Sequence, residues 1–534
     1  MKINILDCTL RDGGYINNWC FGNTAIKSVV SLLTEANINI IECGFLLDKT
    51  VNDDETLFNS VSEIRKILPD DHRKSEFVAM ASVENYSTDN LERFDGSSIS
   101  GIRVIFHDYE IKKAIRYCMI VKEKGYKLFF QPMSITTYSD KQLIYLIEQA
   151  NALEPYAVYI VDTLGLMTQK DVERIFYLFD NNLNQSIAIG FHSHNNLQLS
   201  FSNAQKLLGM NTNRTLIIDA SIYGMGRGAG NLSTELITQY VNEIFDYSYR
   251  VDYLLKIYDK YIRKINEQFK WGYSVEYYLA AVHKCHPNYA KYLLEMGTLP
   301  INDVGNVLMT IAHENKHLYN EEYIVSHYLA YQDNWIEDSD AYKELKTLIA
   351  DTPVLLLAPG KSIFENIEKL QMYVNEKKPF IISVNHKNEL IAPDCVFFSN
   401  RKRYEEIISD HRISSLPKII VTSNIKNTYQ SDYCFNYAEL CSTNGKFIDN
   451  ASIMLLKLLE KLNTRSVALA GMDGFLPNTD NYYYNNFQNN RNAQTLFELN
   501  ETLSNAISFY AKTMNILFLT PSVYSKSKKG YKNG

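Results

Sequence analysis

Cysteine is sparse in this chain: eight residues in 534. No two of them stand as C-x-x-C, and no stretch is dense in them. That excludes a disulfide-framed scaffold and leaves reduced thiols as the expectation. With no signal-like stretch in view, a cytoplasmic protein is expected. No apolar run reaches the roughly 20 residues of a membrane-spanning helix, so no membrane span is expected. Nor is there an excess of positive charge: 54 Lys and Arg against 61 Asp and Glu give a net charge of -7. A nucleic-acid partner is therefore not expected. The Lys-rich end "SKSKKGYKNG" reads as a solvated tail. Proline is scarce, at twelve, and carries no functional meaning here. What remains is ordinary: 46% hydrophobic and 22% charged residues, as in soluble globular proteins. The length exceeds one ordinary core, so two or three domains are expected.

Short β-branched runs recur from the start of the chain. They are "INIL" (3–6), "INIIECG" (38–44), "FVAMAS" (77–82), "GIRVIF" (101–106), "KLFFQP" (127–132), "AVYIVD" (157–162), "IAIGFH" (187–192) and "TLIIDA" (215–220). Helix-like stretches such as "NTAIKSVVSLLTEAN" lie between them. The spacing is that of βα units, and continuous apolar strands belong to a sheet buried on both faces. Eight units over residues 1–240 fit a (βα)8 TIM barrel, with an open doubly wound sheet as the competing arrangement.

In a barrel, chemistry sits at the C-terminal strand ends, and here those ends are unusual. The first strand is followed by Asp7, then Arg11, Asp12, Gly13 and Gly14. The second ends in Glu42, the sixth in Asp162 and Thr163, the seventh in His192-Ser193-His194-Asn195. "YGMGRGAGN", closing on Asn231, follows the eighth. Residues two apart on a strand share a face, so His192 and His194 can reach one ion. Asp12 adds a carboxylate and Asn231 an amide oxygen. This N/O set suits a divalent ion, Mn²⁺ or Mg²⁺ first, then Co²⁺ or Zn²⁺. Such an ion chelated by a 2-oxo acid acts as a Lewis acid on the enolate. Arg11 puts a fixed charge where the enolate oxygen develops. Glu42, a carboxylate at the mouth, either holds Arg11 or reacts.

"DCTLRDGG", "IIECGF", "HSHN" and "GRGAGN" together resemble the signatures of the DRE-TIM metallolyase superfamily. That group is HMGL-like and includes 4-hydroxy-2-oxovalerate aldolase, hydroxymethylglutaryl-CoA lyase and isopropylmalate synthase. The resemblance covers residues 1–240 and lies nearest the oxovalerate aldolases. It implies Asp12, His192 and His194 as metal ligands, with Asn231 matching a ligand of some branches. It implies Arg11 on the enolate oxygen and Thr163 in contact with the keto acid. One position departs from the aldolase pattern. The general-base histidine three residues after the aspartate is Tyr15 here, whose ordinary pKa of about 10 suits a proton donor better than a base. His107, in "VIFHDYE", is the substitute candidate.

Residues 241–350 read as a helical extension, similar to segments that follow the barrel in aldolase-like relatives. "HENKH" (313–317) matches H-E-x-x-H but lies in a polar stretch with no further ligand in view, and reads as a solvated helix. From "DTPVLLLAPGKSIFENIEKL" the strand–helix pattern restarts, and residues 351–534 read as a Rossmann-like α/β domain. A Gly-containing turn ahead of a helix can hold phosphate. A nucleotide site is therefore expected at Gly360, Ser362, Asn385 and Asp473, with Asn400 and Asn424 at further strand ends. This layout resembles sialyltransferase-like and MAF-type glycosyltransferase domains, which implies a cytidine nucleotide or nucleotide-sugar.

The expected function is a metal-dependent aldolase or lyase acting on a 4-hydroxy-2-oxo acid through a pyruvate-type enolate. Its partners would be a 2-oxo acid and an aldehyde. The fused glycosyltransferase-like domain suggests surface-glycan or unusual-sugar biosynthesis, and a homo-oligomer is expected. The alternatives are a Claisen-type acyltransferase using acyl-CoA, and a non-catalytic barrel acting as scaffold.

Overall fold

The computed structural model describes residues 1–525 apart from 50–51, 71–74, 317–318, 410–416, 426–430, 443–446, 478–480 and 483–492. The basic tail beyond Ser525 and His317 of "HENKH" lie outside the described residues. The chain divides into two compact units, Met1–Pro287 and Asn288–Gly534. The helical stretch expected at 241–350 is thus shared between them. No described helix is long and apolar enough to cross a membrane.

The first unit is a closed parallel barrel. Its strands are β1 (Lys2–Asp7), β2 (Ile40–Leu46), β4 (Glu76–Ser82), β5 (Gly101–Phe106), β6 (Lys127–Pro132), β7 (Ala157–Asp162), β8 (Ala188–Ser193) and β9 (Thr215–Ala220); a two-residue β3 (Leu57–Phe58) flanks β2. Pairing of β1 with both β9 and β2 closes the ring. An open sheet would have left β1 unpaired on one side, so the barrel prevails over the doubly wound alternative. Nearly every strand residue is buried, because helices cover the outside and side chains fill the inside. The covering helices show why they form. Helix Asn23–Glu35 buries Ile26, Val29, Val30 and Leu33, one face at helical spacing. Helices Asp140–Leu153 and Gln169–Asn182 open on capping boxes, Ser139 with Gln142 and Thr168 with Asp171. Helix Thr234–Phe245 ends where Asp246 is left-handed (φ 56°), and the helical extension resumes at Val251.

The second unit holds seven parallel strands: β10 (Val354–Leu357), β11 (Phe380–Val384), β12 (Cys395–Phe398), β13 (Lys418–Thr422), β14 (Tyr433–Phe435), β15 (Ser466–Ala470) and β16 (Asn515–Phe518). Their order is β14-β13-β12-β11-β10-β15-β16, so the winding reverses between β10 and β15. β14 and β16 are short edge strands that the sequence pattern did not mark. "HENKH" is not the expected helix: His313–Asn315 form one 3₁₀ turn.

Candidate active site

The mouth of the barrel is built from the ends of β1, β2, β8 and β9. Asp12, His192 and His194 converge there, all buried, with ligand atoms within 4.8 Å of one another. His192 lies in β8 and His194 just beyond it, two apart as alternation requires. The rings stand nearly perpendicular with centroids 5.3 Å apart. Asn231 is held opposite His194 by an isolated antiparallel bridge.

Each of these groups is oriented from behind. His192 Nδ1 lies 3.0 Å from Asp219 Oδ2, and His194 Nδ1 lies 3.4 Å from the Arg227 carbonyl. Both arrangements leave Nε2 for an ion, as outer partners of ligating histidines do. Asn231 Nδ2 donates to Asp12 Oδ2 (2.6 Å) and to the Met225 carbonyl (3.0 Å). Its buried Oδ1 has no hydrogen-bond partner. A buried acceptor left unpaired is costly, and a cation beside Asp12 removes that cost. The donor set, two imidazoles, a carboxylate and an orphaned amide oxygen, fits a divalent ion. Gly226 explains how the loop comes so close. A Cβ there would lie 2.3 Å from Asn231 Nδ2 and 3.0 Å from Asp12 Oδ2.

The electrostatics favour a cation as well. Burial would raise the Asp12 carboxyl, but Arg11 and the two histidines outweigh it and hold it well below the usual carboxylate range. Burial pushes His194 down to about 3, against the pull of Asp12. The imidazole is therefore neutral near pH 7, the state a metal needs.

Behind the mouth runs a chain of alternating charges. Arg11 Nη1 meets Asp12 Oδ1 (2.5 Å), and Arg11 Nε donates to Glu42 Oε2 (2.8 Å). Arg103 Nη1 meets the same Glu42 oxygen at 2.6 Å, and Arg103 Nη2 bonds Asp219. Asp219 then reaches His192. All are buried. Gln131, with its amide oriented oxygen-first, accepts from Arg103 (2.5 and 2.7 Å). Arg103 also lies 4.9 Å from the Tyr159 ring centroid. Sequence reasoning missed Arg103, Asp219 and Gln131. The available signal was a lone charge inside an apolar strand, "GIRVIF" and "TLIIDA", which must find a partner once buried.

Glu42 is tied to both arginines: the Arg11 contact is one of the two roles expected of it, and the Arg103 contact was not expected. Tyr15 is half-buried beside the triad's loop. Its ring packs on Trp19 (4.5 Å) and lies under the Arg227 guanidinium (4.2 Å). Thr163 follows β7, and its Oγ1 accepts from the Ser134 N–H (2.7 Å). His107 makes local contacts. Its N–H donates to Glu110 (2.8 Å) and its ring stacks on Tyr109 (5.1 Å).

In the second unit the expected phosphate turn is taken by the chain itself. The Ser362 N–H donates to Asp473 Oδ2 (2.8 Å), its Oγ bonds Oδ1, and the Gly360 N–H donates to the Gly471 carbonyl (2.9 Å). The helix that follows, Ser362–Glu365, is one turn long. Asn385 is left-handed (φ 55°), and its Oδ1 accepts from Ser399 at 3.4 Å. Asn400 Nδ2 donates to Gly297 O (3.0 Å) and Asn424 Nδ2 to Gln332 Oε1 (3.0 Å). Both partners come from the helical stretch before the sheet.

Residues 2–245 match the HMGL-like family model. The chain is 28% identical over 243 residues to 4-hydroxy-2-oxovalerate aldolase of Bacillus cereus, covering 44% of this chain and 68% of that protein. It is 29% identical over 250 residues to the enzyme of the same name from Pelotomaculum thermopropionicum, covering 44% and 69%. To that of Carboxydothermus hydrogenoformans it is 30% identical over 275 residues, covering 48% and 75%. The family match spans the residues that include Asp12, His192, His194 and Asn231. The chain belongs to the HMGL-like family, and its barrel is that of a carbon–carbon lyase.

Proposed function

We propose that the barrel cleaves a 4-hydroxy-2-oxo acid into a pyruvate-type 2-oxo acid and an aldehyde, or joins them in reverse. The observation that carries this is the orphaned Asn231 Oδ1 beside Asp12, His192 and His194, a donor set for one divalent ion. When bound, that ion supplies Lewis acidity to the carboxylate and keto oxygen of the 2-oxo acid. In cleavage the C3–C4 bond breaks, the C4 hydroxyl loses its proton and C3 of the product gains one. Arg11 serves the charge that develops on the enolate. Its Nε and Nη1 are fixed by Glu42 and Asp12, while Nη2 makes no hydrogen bond with any described residue. A guanidinium locked on two edges and open on the third is preorganised for an oxyanion. Tyr15, whose ring lies beneath Arg227, is our candidate to pass the hydroxyl proton, in preference to His107, whose contacts are within its own turn. The experiment is addition of 4-hydroxy-2-oxovalerate to Mn²⁺-loaded protein, with pyruvate and acetaldehyde read by proton NMR. Stoichiometric release of both, abolished by chelation, is expected; free CoA release from an acyl-CoA plus a 2-oxo acid would favour the Claisen reading instead.

For the second unit we infer a nucleotide or sugar-nucleotide site in a Rossmann-like sheet. The support is a cleft of about 410 Å³ at the reversal of strand order, lined by Lys361, Ser362, Glu365, Asp473, Pro521 and Ser522. A phosphate there competes with the Asp473 carboxylate for the Ser362 N–H. Glycan synthesis is the setting that pairing would suit. Calorimetric titration of the full chain with CMP, CDP, UDP and GDP tests the inference, and absence of binding to all four removes it.

A further inference from the structure

The barrel's buried arginines each have a carboxylate: Arg11 has Asp12 and Glu42, Arg103 has Glu42 and Asp219, Arg214 has Asp180. Arg227 differs. It stands exposed on the loop after β9, and its side chain makes no hydrogen bond or ion pair with any described residue. Its described contact is the face of Tyr15, with the guanidinium 4.2 Å from the ring centroid.

The loop is not free to swing. The Gly230 N–H donates to the Arg227 carbonyl (3.0 Å), the Ala229 N–H to Asn196 Oδ1 (2.9 Å), and the Asn231 N–H to the Gly224 carbonyl (2.8 Å). The Arg227 carbonyl itself faces His194 Nδ1 (3.4 Å). The Arg227 charge is near enough to bear on both Asp12 and His194. So a rigid loop holds an unpaired cation over the mouth of a site whose donor set attracts another cation. Two positive charges repel, and metal binding gains nothing from this placement. A third, negative group removes the conflict, and the guanidinium fork suits a carboxylate or phosphate in two-point contact.

Arg11 already serves the 2-oxo acid, so the second substrate is the one left to carry that anion. We propose that Arg227 binds an anionic group on the aldehyde, making the substrate class an aldehyde bearing a carboxylate or a phosphate. The guanidinium rests against the Tyr15 ring, which ties recognition of the aldehyde to the residue proposed to pass its proton.

This rests on the aldolase reading, and the experiment separates the two. Mn²⁺-loaded wild type is first incubated with pyruvate in D₂O, where methyl deuteration reads enolisation with no aldehyde present. Condensation with pyruvate is then measured for acetaldehyde, glyoxylate and glyceraldehyde 3-phosphate. The two anionic arms distinguish carboxylate from phosphate. At least one should exceed acetaldehyde tenfold or more in kcat/KM. In Arg227→Ala that ratio of anionic to neutral aldehyde should fall tenfold or more, chiefly through KM of the aldehyde, and Arg227→Lys should restore part of it. Because the ratio is internal to each variant, partial loss of fold or metal does not mimic the result. Deuteration in wild type with a ratio that Arg227→Ala leaves within twofold overturns the assignment of Arg227 and keeps the aldolase. Absence of deuteration in wild type overturns both.

Discussion

The barrel and the second unit both end parallel strands in clusters of Asp, Asn, Ser and His, yet the two clusters are used differently. At the barrel mouth the chain leaves valences open: Asn231 Oδ1 is orphaned, and Arg11 Nη2 and the Arg227 fork have no hydrogen-bond partner among the described residues. In the second unit, comparable strand-end groups are largely consumed. Asp473 caps Ser362, Asn424 meets Gln332 and Asn400 meets Gly297. The Ser383, Ser399 and Asn388 side chains there also keep unpaired atoms, neutral like Asn231 Oδ1, but without a carboxylate–imidazole cluster like that of the barrel among the described residues. Among the described residues, the His, Cys, Asp and Glu cluster that can hold an ion is the one in the barrel. Fold position marks where a site is allowed; unspent, oriented polar atoms mark where one exists.

That contrast can be broken most sharply at His194. His194→Ala should lose the bound divalent ion and all lyase activity while circular dichroism stays that of wild type, since the side chain adds little to the barrel core. Equal metal in both proteins, by elemental analysis, would contradict the ligand assignment. Next in size is Arg103→Met. It removes the cation between Glu42 and Asp219, leaving buried carboxylates short of a partner. Breaking such a pair costs roughly 3–5 kcal/mol, read as a lower denaturant midpoint. Arg11→Lys keeps the charge but loses the fork, and turnover should fall about 10²–10³-fold with metal still bound. Tyr15→Phe should cost about 10² in kcat, at the low end for a lost proton-transfer group, with metal content unchanged; His107→Ala should stay near wild type. Were the order of those two reversed, the proton would belong to His107. The smallest effect is in the second unit. Asp473→Ala frees the Ser362 N–H and should strengthen binding of a nucleoside diphosphate by about tenfold, the scale of one hydrogen bond to a charged group.

Much of the barrel was legible because its signals are local. Apolar runs at βα spacing give the strands, and H-x-H at a strand end gives two ligands on one face. The network behind those ligands was not legible in the same way. Arg103 and Asp219 each look like one charge lost in an apolar run, and only closure of β1 onto β9 and β2 brings both to the Glu42 side. The second unit hid more. Ser362 and Asp473 were placed together at one crevice from sequence, but their mutual bond, which occupies the N–H a phosphate would use, depends on the register of β10 with β15. Likewise Gln332 and Gly297, which meet Asn424 and Asn400, come from helices whose docking no strand pattern reports.

The central claim is that the open valences at the barrel mouth hold a divalent ion that enolises a 2-oxo acid. The most direct measurement is proton–deuteron exchange at the pyruvate methyl group in D₂O, followed by NMR with the full-length protein. Mn²⁺-loaded protein should exchange the methyl protons well above the metal-only rate, and chelator-treated protein should not. Exchange that survives chelation, or metal-loaded protein no faster than free Mn²⁺, would contradict the account.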